Sequence, residues 1–147
     1  MKKTYIKIAK ILSVAMMIIS IGNNNMTPLA ASKTYDFDLA NTGQVYTYDS
    51  GSKNQKVNTG EDWSLRVTNI VFTTNTRGYG MAFIPITSAK HKGGHHVWMT
   101  TTGKKYGTYD GYTGATGYYY LGARIDDDLS GRIAADGKWN SDYVSGI

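Results

Sequence analysis

Beyond residue 32 no stretch of this chain repeats an apolar residue every three or four positions for three turns, which excludes a helical bundle before any other property is considered. What recurs is alternation. Tyr35, Phe37 and Leu39 are separated by Asp36 and Asp38, and Trp63, Leu65 and Val67 by Ser64 and Arg66, the spacing of strands with one wet face. The second run continues through Ile70 to Phe72. His96, Trp98 and Thr100 oppose Val97, Met99 and Thr101, and segments 118–125 (YYYLGARI) and 132–139 (RIAADGKW) supply two further strands. Residues 81–86 (MAFIPI) are apolar on both faces and predict a strand covered on both sides. Pro85 places that strand at a sheet edge or makes its position a strand end, because proline has no N–H to give to a ladder. Weaker strands are expected at 44–48, 53–58 and 105–109.

The segments between these runs carry turn chemistry: Asp49-Ser50-Gly51, Asn58-Thr59-Gly60, Lys92-Gly93-Gly94, Thr102-Gly103, Asp110-Gly111 and Ser130-Gly131. Composition agrees, since 16 of the 17 glycines and 11 of the 12 tyrosines follow residue 31. Glycine weakens a helix interior by about 1 kcal/mol relative to alanine, whereas tyrosine suits a pleated, half-buried surface. Seven to nine short strands with regular turns predict one all-β domain, an antiparallel β-sandwich over residues 32–147. There is no cysteine, so this domain must hold together by packing alone.

The first 31 residues read differently. Lys2, Lys3, Lys7 and Lys10 precede an apolar run at 11–21 (ILSVAMMIISI), and a polar stretch ends in Pro28-Leu29-Ala30-Ala31-Ser32. That is the layout of a secretory signal peptide, with cleavage expected after Ala31 or Ser32. The apolar run falls short of the roughly 20 residues of a membrane span. The expectation is a signal peptide at 1–31 and a secreted, extracellular product with no transmembrane segment of its own. The leader also carries most of the formal charge of +5, because residues 32–147 hold 12 basic and 11 acidic side chains. A net of +1 lacks the basic excess of a nucleic-acid binder. Charge is unevenly spread, at −2 over 32–62, +6 over 63–109 and −3 over 110–147.

Three groups of residues invite a chemical reading. His91, His95 and His96 flank a Gly-Gly turn and offer imidazole nitrogens to a metal, although adjacent strand residues such as His95 and His96 point to opposite faces. Asp126, Asp128 and Ser130, with Gly131 following, match the first half of a calcium loop, but position 12 is Gly137 where a bidentate glutamate belongs. An aromatic set, Tyr106, Tyr109, Tyr112, Tyr118, Tyr119 and Tyr120 with Trp98 and Trp139, could stack on sugars, headgroups or a partner protein, or fill the core, with Trp98, Tyr106, Tyr109, Tyr112 and Tyr119 as its candidate binding residues. Catalytic patterns are poor. Glu61 is the one glutamate, no nucleophile elbow or phosphate loop occurs, and thiol chemistry is excluded. No cofactor is implied.

Tyr118-Tyr-Tyr-Leu-Gly-Ala-Arg124, a short loop, and then Ile133-Ala-Ala-Asp-Gly137-Lys-Trp139-Asn-Ser-Asp142 resemble the closing strand pair of a family of small secreted proteins from Gram-positive bacteria, known as a domain of unknown function. Tyr35-Asp-Phe37 and Trp63-Ser-Leu-Arg-Val67 extend the likeness, and Gly137-Lys-Trp139-x-Ser141-Asp142 is its most specific part. The resemblance implies an exported, cysteine-free β-domain and no catalytic residues. By a more distant analogy the chain is similar to secreted β-sandwich bacteriocins that act on the cell envelope. The expectation is a non-enzymatic interaction protein acting outside the cell on an envelope polymer or another protein, with a small carbohydrate- or cell-wall-binding module as the alternative.

Overall fold

The computed structural model describes residues 31–40, 45–60, 62–73, 76, 79–109, 114–125, 131–144 and 147. The leader up to residue 30, Tyr112, Asp126 and Asp128 lie outside these residues. Among the described residues nine strands form: β1 (Lys33–Leu39), β2 (Thr47–Tyr48), β3 (Asn54–Lys56), β4 (Trp63–Phe72), β5 (Met81–Thr87), β6 (Val97–Met99), β7 (Gly103–Gly107), β8 (Gly117–Ile125) and β9 (Ile133–Asn140). A four-stranded sheet runs β1-β9-β4-β7, and a five-stranded sheet runs β2-β8-β5-β6 with β3 also on β8. All pairings are antiparallel. This is the expected all-β sandwich. No helix of the described residues is long and apolar enough to cross a membrane.

Alternation puts one face of each sheet into the shared core. Tyr35, Phe37, Leu65, Val67, Ile133 and Trp139 from the first sheet meet Met81, Phe83, Leu121 and Ile125 from the second. Phe83 joins them most directly, its ring 5.5 Å from Tyr35 and 6.1 Å from Phe37. Each such fully buried side chain contributes on the order of 1.5–3 kcal/mol of transfer free energy. A register shift between Val67 and Asn69 interrupts the pairing of β4 with β9. The extra residue changes the phase of β4, so that Ile70 and Phe72 pack on the core where Val71 is exposed.

Pro85 departs from expectation, because β5 lies inside its sheet between β8 and β6. The pairing with β6 covers only Met81 to Phe83, and the Pro85 carbonyl accepts from the Gly93 N–H at 2.7 Å on the side away from β8. The N and C=O of a strand residue point to the same edge, so the missing N–H falls where β6 no longer pairs.

One end of the sandwich is closed by buried polar groups. Lys56 Nζ donates to Asp142 Oδ1 at 3.1 Å and to the Ser141 carbonyl at 3.3 Å. Asp142 also accepts the Val57 and Asn58 N–H groups at 2.9 and 3.1 Å. Trp139 Nε1 donates to the Ser52 carbonyl at 2.8 Å, and Tyr109 Oη donates to the Ser141 carbonyl at 2.6 Å. These bonds tie the end of β9, in one sheet, to the β2–β3 edge of the other.

Candidate binding surface

The outer face of the five-stranded sheet is built by the residues that alternate with the core set. On β8 these are Tyr118, Tyr120, Gly122 and Arg124, since Tyr119, Leu121, Ala123 and Ile125 are buried. Register carries the face across the sheet. Arg124 is paired with Ala82, and Ala82 with Trp98, while Tyr48 faces Gly122 and Gly122 faces Ile84. Tyr46 and Tyr48 therefore share the outward side of the β2 edge with Arg124 and Trp98. A further row runs Lys92, Ile86, Tyr120.

The small residues in these rows let the long ones lie flat. A methyl group on Gly122 would run into Ile86 Cδ1, so Ile86 leans over that glycine. Ala82, Ile84 and Ile86 are all buried although they point away from the sandwich core. Ile86 shares a groove with Tyr46, Lys90 and Lys92, and Ala82 lies in its row between Arg124 and Trp98. Between Tyr46 and the lysines runs a groove of ≈ 280 Å³ lined by Val45, Tyr46, Ile86, Lys90 and Lys92.

Every cation on this face lies against an aromatic ring. The Arg124 guanidinium sits 5.5 Å from the Tyr46 ring and 5.4 Å from that of Trp98. Lys92 Nζ is 5.4 Å from Tyr46, Lys90 Nζ 5.4 Å from Tyr48, and Lys53 Nζ 4.5 Å from Tyr118. Among the described residues none of Lys53, Lys90, Lys92 and Arg124 pairs with a carboxylate. Asp49, next to Tyr48, is turned toward its own loop, where it accepts the Gly51 N–H at 2.7 Å. The positive field is felt by His96, whose ring packs edge-on to Trp98 at 5.8 Å. Partial burial and the nearby charges of Arg124 and Lys92, with His95 beside them, hold its imidazole below the ordinary value.

Lys90 is held in place by a turn that suits glycine better. Thr87 accepts the Lys90 N–H at 2.8 Å and gives its own N–H to the His91 carbonyl at 2.9 Å, closing a three-residue hairpin loop. Such loops need a left-handed residue at their third position, and Lys90 takes it with φ of 64°. A side chain there costs on the order of 1 kcal/mol.

The outer face of the other sheet is of mixed sign. Arg66 stands directly between Lys104 and Lys138, while Asp36 faces Asp136 one row away. Asp36, Asp38 and Asp49 line a second groove, but Asp38 is bound to Arg132 at 2.8 Å, and that hydrogen-bonded pairing lowers its carboxyl below the usual range.

The residues singled out from sequence are dispersed. Trp98 belongs to the outer face just described. Tyr119 is in the core, and Tyr109 is half-buried with its ring 5.3 Å from Tyr119 and 4.6 Å from Lys56 Nζ. Burial drives the Tyr109 phenol far above its ordinary value, so it stays protonated and donates. Tyr106 is exposed on β7, paired at 4.9 Å with Tyr143. His91, His95 and His96 are exposed along the β5–β6 connection. Among the described residues no three His, Asp or Glu side chains stand together as a metal would require. Tyr118 and Tyr120 belong to the aromatic set read from the sequence but not to its candidate binding residues, and Tyr46 and Tyr48 belong to neither, although the two i, i+2 tyrosine pairs are a usable signal.

The fold and this face define a class: a cysteine-free antiparallel β-sandwich that presents a cationic, aromatic sheet surface. Compared with protein-family models, with curated proteins and with solved structures, the chain matches none of them.

Proposed function

We propose that this is a non-enzymatic interaction protein, exported by its N-terminal leader, that acts on a cell envelope through the outer face of the five-stranded sheet. The observation that carries this reading is the lattice of Tyr46, Tyr48, Trp98, Tyr118 and Tyr120 with Lys53, Lys90, Lys92 and Arg124. Cations that among the described residues have no carboxylate partner, backed by rigid rings, favour an anionic partner and steer it by charge. Envelope polymers of Gram-positive bacteria, the setting implied by the resemblance at the C-terminal strand pair, are polyanionic. A bacteriocin-like action would follow if occupying such a polymer blocks wall growth.

The alternative, a module for neutral carbohydrate, draws support from the exposed Tyr106–Tyr143 pair. It is less favoured at the five-stranded sheet, where stacking a sugar needs an open ring face and the cations lie against the rings. The test is to recover the protein from culture medium, mix it with isolated envelopes and with intact related strains, and score sedimentation and growth. Sedimentation with envelopes that salt reverses is expected. Retention in the cells would sink the export step, and salt-resistant binding released by neutral oligosaccharide would favour the carbohydrate module. Release of soluble wall fragments over time would show an enzyme instead.

A further inference from the structure

We infer that the outer face of the five-stranded sheet binds a linear polyol-phosphate polymer, with Arg124, Lys90 and Lys92 receiving phosphates and the groove beside Tyr46 receiving the carbon chain between them. This deepens the envelope reading and rests on it only for where the polymer is met. The ligand chemistry follows from the side chains themselves.

Arg124 lies between two rings, that of Tyr46 just before β2 and that of Trp98 on β6, with Ala82 leaving room beneath. A guanidinium held against ring faces keeps its N–H edge for a ligand, and that fork matches the paired oxygens of a phosphate. Lys90 and Lys92 border a groove whose other walls are Val45, Ile86 and Tyr46. Two ammonium groups over an apolar floor suit a chain that alternates phosphate with carbon, whereas free phosphate would make no use of the floor. The left-handed Lys90 is a second and independent indication. The position that would be more comfortable as glycine holds the lysine whose ammonium reaches the face.

A lipid surface fits less well. Ala82, Ile84 and Ile86, the aliphatic residues of the three central rows, are buried beneath the rings and cannot protrude into acyl chains. A single-stranded nucleic acid would need open ring faces for its bases, and cations lie against the rings of Tyr46, Tyr48, Trp98 and Tyr118.

The experiment is calorimetric titration of the full chain with poly(glycerol phosphate), neutral dextran, anionic phosphatidylglycerol vesicles and single-stranded DNA. Binding to poly(glycerol phosphate) is expected, with a log-affinity against log-salt slope of about −2 for three phosphates at roughly 0.7 each. Arg124→Ala and Lys92→Ala should each weaken it about tenfold, the scale of one charge-assisted hydrogen bond. Lys90→Gly should also weaken it several-fold while raising the unfolding midpoint, an opposition that a merely structural lysine would not produce. Because Arg124, Lys92 and His95 surround His96 with positive charge, bound polyanion should raise the His96 pKa. Affinity should then increase as the pH is lowered into the range where His96 protonates, and His96→Gln should remove its share of that dependence.

Tighter binding to vesicles or DNA than to the polymer overturns the ligand class, as does polymer binding indifferent to Arg124→Ala and Lys90→Gly. If none of the four probes binds while the secreted protein still sediments with envelopes, the ligand inference fails and the envelope reading survives. If neither occurs, both fail.

Discussion

Asp142→Ala is expected to remove about 3–5 kcal/mol of unfolding free energy, the scale for breaking a buried ion pair from one side. Lys56 is fully buried and Asp142 nearly so, and their 3.1 Å contact lies between the two sheets. Removing the carboxylate leaves an ammonium in the interior with the Ser141 carbonyl and the Tyr109 ring beside it, and takes the acceptor from two backbone N–H groups at once. Lys56→Met should cost less, because the carboxylate keeps its Val57 and Asn58 donors. The combination of Lys56→Met with Asp142→Ala should be more stable than Asp142→Ala alone, since no charge is then stranded. Urea denaturation of the four proteins decides it. A loss below about 1 kcal/mol for Asp142→Ala, or simple additivity in the pair, would show that the ion pair is not what closes this end of the sandwich.

That same ion pair belongs to a run whose other side chains and carbonyls also reach across the sheets. Gly137-Lys-Trp139-x-Ser141-Asp142 places an indole N–H on Ser52, a carbonyl under Tyr109 and a carboxylate on Lys56. The motif therefore acts as the clasp between sheets. Its partner residues, Ser52 to Asn58, lie more than eighty positions earlier and have no apolar pattern of their own, so nothing in local sequence joins the two.

Strand positions were legible because one-sided burial writes itself as alternation, and each of the nine strands overlaps a segment marked out in the sequence, with β1, β5, β7, β8 and β9 extending one or two residues beyond it. Pairing was not. The bulge after Val67 is invisible in a run that is apolar on both sides of it, and Pro85 misled because edge status depends on where β6 stops. For the binding face the obstacle was phase. In Tyr118-Tyr119-Tyr120 the composition is identical at each position, and a slip of one residue exchanges core for surface. Leu121 and Ile125 fix the phase only once they are known to face inward, which turns Tyr119 in and Tyr118, Tyr120 and Arg124 out. The basic middle of the chain divides likewise. Lys90, Lys92 and His96 gather on one sheet, while Arg66 and Lys104 stand on the other.

Gly137→Ala should be nearly as damaging as the loss of Asp142, though the residue looks innocuous in its strand. Gly137 lies on β9, flanked by Tyr35 on β1 and Val67 on β4. The Tyr35 side chain crosses over it to donate to the Arg66 carbonyl at 3.1 Å. Burial pushes the Tyr35 phenol far above its ordinary value, so that donor is present at every accessible pH. A methyl group on Gly137 would stand well inside contact distance of the Arg66 carbonyl oxygen and 2.7 Å from Tyr35 Oη. Overpacking of a core commonly costs about 1–3 kcal/mol, and here the obstacle is backbone in a central strand, which moves less readily than a side chain. A loss of about 3 kcal/mol or more is expected. Gly51→Ala is the control, because the nearest atom there is the end of the Asp49 side chain at 3.2 Å. Adding Tyr35→Phe to Gly137→Ala should recover little, since deleting the hydroxyl leaves the clash with Arg66 in place. Full recovery in that double variant would mean that the tyrosine, and not the β4 backbone, sets the requirement for glycine.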